Sequence, residues 1–517
     1  MRVRTLAVAL TSVILLSACQ KSVVRSDGYS IAMADLTGGV SVSDMQAHMA
    51  AGKYTSADLT QAALDQIKAK DGDLHSIISV NPDALTQAKA SDAARKAGKA
   101  LGPLMGIPVL IKDNIETADP IATTAGSLAL KDNITHRDAP VVANLRNGGA
   151  IILAKTNLSE WANIRSSRAV SGWSATGGLT ANAHDHARTA CGSSSGSGAA
   201  VAARLAPLAV GTETDGSVTC PSSMEGLVGL KPTVGLVSRT YVVPISHSQD
   251  TPGPMGHSVA DVAAMLGVMA GRDPADTATG EADAHKLDYT AKLAGFSLKG
   301  VRIGILRDQV GKDVKTTAVF EAALKSLAGA GAVLVDIKDS SVSDIGDDEM
   351  NIMMYELKAD LNTYLASTPA TVKTQTLADI IAFNTANAAQ EMPYFGQELF
   401  ERAQLTTGLN DPVYLKAVGA KARAAARLDD LLKANSVSVL VAPTYGPAWM
   451  SDTVNGDQYN GPSATQLPAV SGYPHLTVPM GTVQGLPVGL SFIGPKWSEA
   501  RLLQVGYAYE RARTAKK

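Results

Sequence analysis

The chain has 517 residues, room for roughly three domains at about 150 residues each or for one large α/β domain. Its 46 Lys and Arg stand against 48 Asp and Glu, a net charge of −2, so the clustered cations that drive nucleic-acid binding are missing and no nucleic-acid partner is expected. Hydrophobic residues make up 45 %, which excludes global disorder, and three cysteines cannot staple a chain of this size.

The N-terminus carries Arg2 and Arg4, a run from Leu6 to Leu16 that is apolar apart from Thr11 and Ser12, and then Leu16-Ser17-Ala18-Cys19. This order reads as a secretory signal over 1–18, shorter than the ~20 apolar residues of a spanning helix. The segment resembles a bacterial lipoprotein signal, which implies cleavage before Cys19 and a lipid on its thiol. Gln20 after it implies the outer membrane, periplasmic face. The expected location is therefore the bacterial envelope or periplasm, with membrane contact only through that anchor. Residues 19–40 are polar and Gly-containing and read as a tether, and 41–515 as a single domain.

Ser41 to Ala100 reads as helical, with Leu59, Ala62, Ala63 and Ile67 on one face after a Thr55-Ser56-Ala57-Asp58 start. Val109-Leu110-Ile111 and Ala150–Ala154 read as buried strands, the first running into Lys112-Asp113-Asn114. Segments 300–306 and 437–442 are further buried strands, with mostly helical sequence between them and a helical cap over about 340–430. Strands alternating with helices predict an α/β layer fold.

Three segments carry chemistry. Cys191-Gly-Ser193-Ser194-Ser195-Gly-Ser197-Gly runs straight into the apolar Ala199–Leu208, so it is a functional loop rather than a linker; its hydroxyls can bind an anion or carry protons. Gly211-Thr-Glu213-Thr214-Asp215-Gly216-Ser217 predicts a tight turn that sets Ser217 beside a row of backbone N–H groups, an arrangement suited to an oxyanion. A serine nucleophile needs a base, and none of the nine histidines sits in a triad context. His184-Asp185-His186 has no third ligand and reads as a surface loop. Lys112 remains. Taken alone, a lysine at a strand end ordinarily snorkels to water, and it acts as a base only if burial brings its pKa down toward ~7–8.

Together these segments resemble the amidase signature family: Gly106-Ile-Pro-Val-Leu-Ile-Lys112-Asp-Asn114, the Gly-Ser loop 192–198, Gly211–Ser217 and Gly229-Leu-Lys-Pro-Thr233. The likeness extends to Lys155-Thr-Asn-Leu-Ser-Glu-Trp161, Asp250-Thr-Pro-Gly-Pro254, Ala442-Pro-Thr444 and Gly485-Leu-Pro-Val-Gly489. It implies a large mixed β-sheet covered by helices on both faces and a Ser-Ser-Lys catalytic set. In that set Ser217 is the nucleophile, Ser193 the bridging serine on a cis peptide and Lys112 the base. The N–H groups of Thr214, Asp215, Gly216 and Ser217 would hold the oxyanion, with neither metal nor cofactor. The chain departs from the common pattern with Asp215 in place of Gly, Thr219 in place of Arg and Cys191 in place of Gly. Glu213-Thr-Asp-Gly-Ser217 followed by Cys220-Pro, with Ser248-Gln-Asp-Thr-Pro later, resembles the bacterial peptide amidases, which release ammonia from C-terminal amides. The partner implied is thus a peptide amide or a smaller amide.

Cys191 and Cys220 flank this site; two buried free thiols are the default expectation, although an exported chain permits a bridge. An α/β-hydrolase elbow at Gly192-Ser-Ser194-Ser-Gly196 would instead make Ser194 the nucleophile with His475 as base. A catalytically inactive peptide-binding lipoprotein is the non-enzyme alternative. The tRNA-dependent amidotransferase branch of the family is disfavoured because Met1–Cys19 directs export.

Overall fold

The computed structural model describes residues 27–514 apart from positions 101 and 460. The signal and Cys19 expectations lie outside the described residues. No helix among the described residues is long and apolar enough to cross a membrane.

In chain order the strands are β1 Ile77–Val80, β2 Pro108–Lys112, β3 Ile151–Thr156, β4 Trp173–Ser174, β5 Gly178–Leu179 and β6 Leu208–Glu213. There follow β7 Val228–Lys231, β8 Thr251–Gly256, β9 Arg302–Leu306 and β10 Val333–Ile337. The last three are β11 Val439–Pro443, β12 His475–Val483 and β13 Leu486–Ile493. β4 and β5 form a small ribbon; the other eleven make one sheet in the order β1-β3-β2-β6-β8-β7-β12-β13-β11-β9-β10. β3, β2 and β6 are parallel neighbours, as are β11, β9 and β10, while the strands between them pair antiparallel. The sheet is therefore mixed. β2, β3, β6 and β13 are buried at every position, which is why they read as continuous apolar runs rather than alternating ones.

Helices cover both faces. On one, Gly506 of the helix Glu499–Thr514 approaches β12 so closely that a Cβ would lie 2.6 Å from Leu476. On the other, Ser223 of the helix Thr219–Met224 accepts a hydrogen bond from Gly489 N of β13 at 2.9 Å. A third group of helices, among them Ile345–Leu365, Leu377–Ala386 and Glu398–Gln404, has its own apolar cluster. There Leu357, Leu361, Ile380 and Phe400 close on Ala125 and Trp161, which belong to the loops after β2 and β3.

The N-terminal region differs from expectation in two places. The helix predicted over Ser41–Ala100 is broken by β1, whose Ile77 and Val80 pair with the edge of β3. The predicted tether already contains the helix Asp27–Gly38, which buries Ala32 and Leu36 in the main core. Short helices with small residues carry weak periodicity, and polar flanks hide this one. Thr55 does begin a helix, through a reciprocal capping box with Asp58.

Candidate active site

Lys112 ends β2 with no solvent exposure, so the snorkelling expectation is corrected: the ammonium lies inside the protein. It donates to Ser193 Oγ at 2.7 Å, to Thr212 Oγ1 at 2.9 Å and to Thr212 O at 3.3 Å. None of these partners is an anion. Burial pulls the Lys112 pKa down to about 7, against the opposing pull of Asp250 and Glu213. A substantial neutral fraction is then present at physiological pH, which a base requires.

Ser193 follows a cis Gly192–Ser193 peptide, and its carbonyl accepts Ser159 N at 3.0 Å. The other hydroxyls of the loop are spoken for. Ser194 Oγ donates to Thr212 O at 3.1 Å and accepts Thr212 N at 3.2 Å, and Ser197 Oγ meets Thr156 Oγ1 at 2.7 Å. Of these serines only Ser193 reaches Lys112. The α/β-hydrolase alternative fails on the same geometry: His475 pairs with Ser491 Oγ at 2.6 Å, and burial pushes its pKa down to about 3.

Ser217 lies on the turn after β6, 8 % exposed, and its carbonyl accepts Ser194 N at 3.1 Å, which joins the two serine loops. Among the described residues, the N–H groups of Thr214, Asp215, Gly216 and Ser217 donate to no protein acceptor. Four free donors around a serine are what an oxyanion site needs. Gly216 has a φ of +79°, and a Cβ there would lie 2.7 Å from Tyr445 Oη, so the turn requires glycine twice over.

Several residues hold this turn that sequence reasoning did not assign. The Glu213 carboxylate accepts Val218 N at 2.7 Å and Thr219 N at 2.8 Å, capping the helix that follows Ser217. Asp250 accepts Thr214 Oγ1 at 2.6 Å, while its other oxygen accepts Ile245 N and Ser246 N at 2.8 and 2.9 Å. Burial raises its pKa to about 6. A buried acid at the head of β8, inside Ser248-Gln-Asp250-Thr-Pro, was the available signal. Thr212, in β6 just before the turn, positions Lys112 and also accepts Asn114 Nδ2 at 3.0 Å.

The expectation of two free thiols is corrected. Cys191 and Cys220 form a disulfide with Cα atoms 6.0 Å apart, because the Ser193 loop and the helix after Ser217 lie side by side. The bridge thus fastens the Ser193-bearing loop to the helix that follows Ser217. His184-Asp185-His186 lies in an exposed loop, as expected. Among the described residues one His/acid group has metal-like spacing, His247 with Glu356 and Asp360. Both ring nitrogens already face carboxylates, at 3.2 Å to Glu356 and 2.9 Å to Asp360, so the group is an ion pair between the Ser246–Asp250 loop and the helix Ile345–Leu365.

Fold and site define a hydrolase of mixed α/β architecture, with a buried lysine-serine pair beside a free N–H turn. The chain belongs to the amidase family, whose model matches residues 58–503, and it is an amidase, a hydrolase of carbon–nitrogen bonds. It is similar to the native peptide amidase of Stenotrophomonas maltophilia, at 47 % identity and a TM-score of 0.87, over 91 % of this chain and 96 % of that one. A probable amidase of Arabidopsis thaliana is 36 % identical over 90 % of this chain and 88 % of its own. A putative amidase of Arthroderma benhamiae is 34 % identical over 88 % of this chain and 78 % of its own.

Proposed function

We propose that the enzyme hydrolyses the C-terminal amide of peptides, releasing ammonia through an acyl-enzyme on Ser217. The observation that carries the mechanism is the 2.7 Å bond from buried Lys112 to Ser193. Neutral Lys112 takes the Ser193 proton as Ser193 takes that of Ser217, and Ser217 Oγ attacks the amide carbonyl. The oxyanion is received by the N–H groups of residues 214–217; one such donor is typically worth about a hundred- to a thousandfold in rate. Ser193 returns a proton to the departing ammonia, and water then cleaves the ester by the same relay. None of these steps calls on a metal or cofactor. The peptide-amide assignment is supported by the similarity to the Stenotrophomonas enzyme and by the Glu213-Thr-Asp-Gly-Ser217 turn; amides of small acids are the second reading, by the same chemistry.

The test is ammonia release from a panel of peptide C-terminal amides beside simple aliphatic and aryl amides, with the Ser217→Ala variant as control. Release from the peptides that disappears in Ser217→Ala is expected. Activity confined to small amides would replace the substrate assignment, and release that survives in folded Ser217→Ala would remove the nucleophile. We place the enzyme in the bacterial envelope, held by a lipid on Cys19. Support comes from the Met1–Cys19 pattern, and Cys19→Ser is expected to release the protein from the membrane fraction.

A further inference from the structure

A carboxylate beside an oxyanion site opposes the charge that develops there, so Asp215 on this turn needs to be neutralised. Its side chain lines a cavity of about 420 Å³ whose lining among the described residues includes no Lys, Arg or His. Asp215 Oδ1 is buried without a hydrogen-bond partner. Glu349, from the helix Ile345–Leu365, reaches the same point and is 4 % exposed. The two carboxyl groups act on one another's titration, and Gln249 Nε2 joins Glu349 Oε1, at 2.9 Å, to Thr214 O, at 3.3 Å, next to Asp215.

Two carboxyl groups that act on one another in this way cannot both ionise readily. Glu349 accepts Gln249 Nε2 at 2.9 Å and Gln466 Nε2 at 3.0 Å, which favours its ionised form. The shared proton then belongs on Asp215, whose O–H donates to Glu349. Gln249 Nε2 also donates to Thr214 O at 3.3 Å, so this set of bonds runs from the helix into the oxyanion turn at two adjacent residues.

We propose that Asp215, as a neutral acid hydrogen-bonded to Glu349, is a positioning residue that ties the oxyanion turn to the helix Ile345–Leu365, and that loss of its proton as pH rises shuts down turnover. This rests on the Ser217 mechanism. Burial first, then Glu349 on the helix and Glu213 at the end of β6 disfavour its ionisation, and together they hold it well above the usual carboxylate range. Thr465 stabilises the charged form by a hydrogen bond. Tyr445 stays neutral beside the acid, its pKa raised by burial and by Asp215. Lys231 of β7, at about 8, is the cation that feels this carboxyl. A raised pKa means that the productive, protonated form is favoured in the folded protein and is lost as pH rises.

The experiment is kcat against pH for wild type, Asp215→Asn and Glu349→Gln on whichever amide is hydrolysed, with infrared difference spectra of the same proteins without substrate. Wild type is expected to lose turnover on the alkaline side. Glu349→Gln removes the neighbouring anion, which lowers the Asp215 pKa, so its alkaline limb moves down by about one pH unit or more, with KM changed less than kcat. Asp215→Asn, which cannot ionise, loses the alkaline limb and keeps the acid limb set by Lys112. An alkaline limb in Asp215→Asn at the wild-type position overturns the proposal, as does a wild-type profile with none. The spectra judge it without turnover: a protonated-carboxyl band at neutral pH should be missing from Asp215→Asn, and its absence from wild type contradicts the assignment. Should no amide be hydrolysed, the Ser217 reading fails, while the band still decides whether Asp215 holds a proton.

Discussion

Lys112 and Lys155 lie at the ends of neighbouring parallel strands, and neither has any solvent exposure, yet their surroundings suit opposite tasks. Lys155 donates to Ile115 O at 2.6 Å and Thr123 Oγ1 at 2.7 Å, with Asp113 at 3.5 Å. It is a charged strut that fixes the loop beyond β2. Lys112 meets only hydroxyls and a carbonyl, and its nearest carboxylates act without touching it. Burial lowers both pKa values; in Lys155 the contact with Asp113 pulls back toward the charged form. Burial thus supplies the pressure to lose a proton, and the partners decide whether a lysine becomes a base or stays a cation.

The largest effect expected from breaking this contrast is at Lys112. Lys112→Ala should lower kcat by about a thousandfold, in the range of a lost general base, and Lys112→Arg should do no better because a guanidinium keeps its proton. Steady-state rates on a folded variant check both. Lys155→Met should act on stability instead: it leaves Asp113 buried without its cation, at a cost of about 3–5 kcal/mol in urea unfolding. The acid limb of its remaining activity should stay where wild type has it. Cys220→Ser opens a bridge spanning 29 residues and should cost about 3 kcal/mol. The smallest effect belongs to Thr55→Ala, which removes a helix cap far from both lysines; about 1 kcal/mol of stability and no change in kcat are expected.

What the sequence made legible divides along the same line. Continuous apolar runs exposed the strands that end at Lys112 and contain Ala154, because buried parallel strands need such residues on both faces. The Thr55–Asp58 start was readable because a capping box is local. Ser193, Ser217 and the residues of the turn stood out through their motifs, and the structure brings Lys112 to Ser193 and the two serine loops together. Contacts between distant segments were not readable. Glu349 meets a turn more than a hundred residues earlier, and Cys191 meets Cys220 only because two loops pack side by side. Nor could local patterning distinguish Lys112 from Lys155, since each follows an apolar strand and only the folded partners differ.

The most direct test is covalent labelling with a serine-directed phosphonate, its rate followed from pH 5 to 9 and its site mapped by mass spectrometry. A single adduct on the peptide holding Ser217 is expected, formed at a rate that rises tenfold per unit below pH 7 and levels off near pH 7–8 as Lys112, with a pKa of about 7, loses its proton, ahead of any alkaline limb set by Asp215. An adduct on Ser194, or labelling at Ser217 that is indifferent to pH across that range, would contradict it.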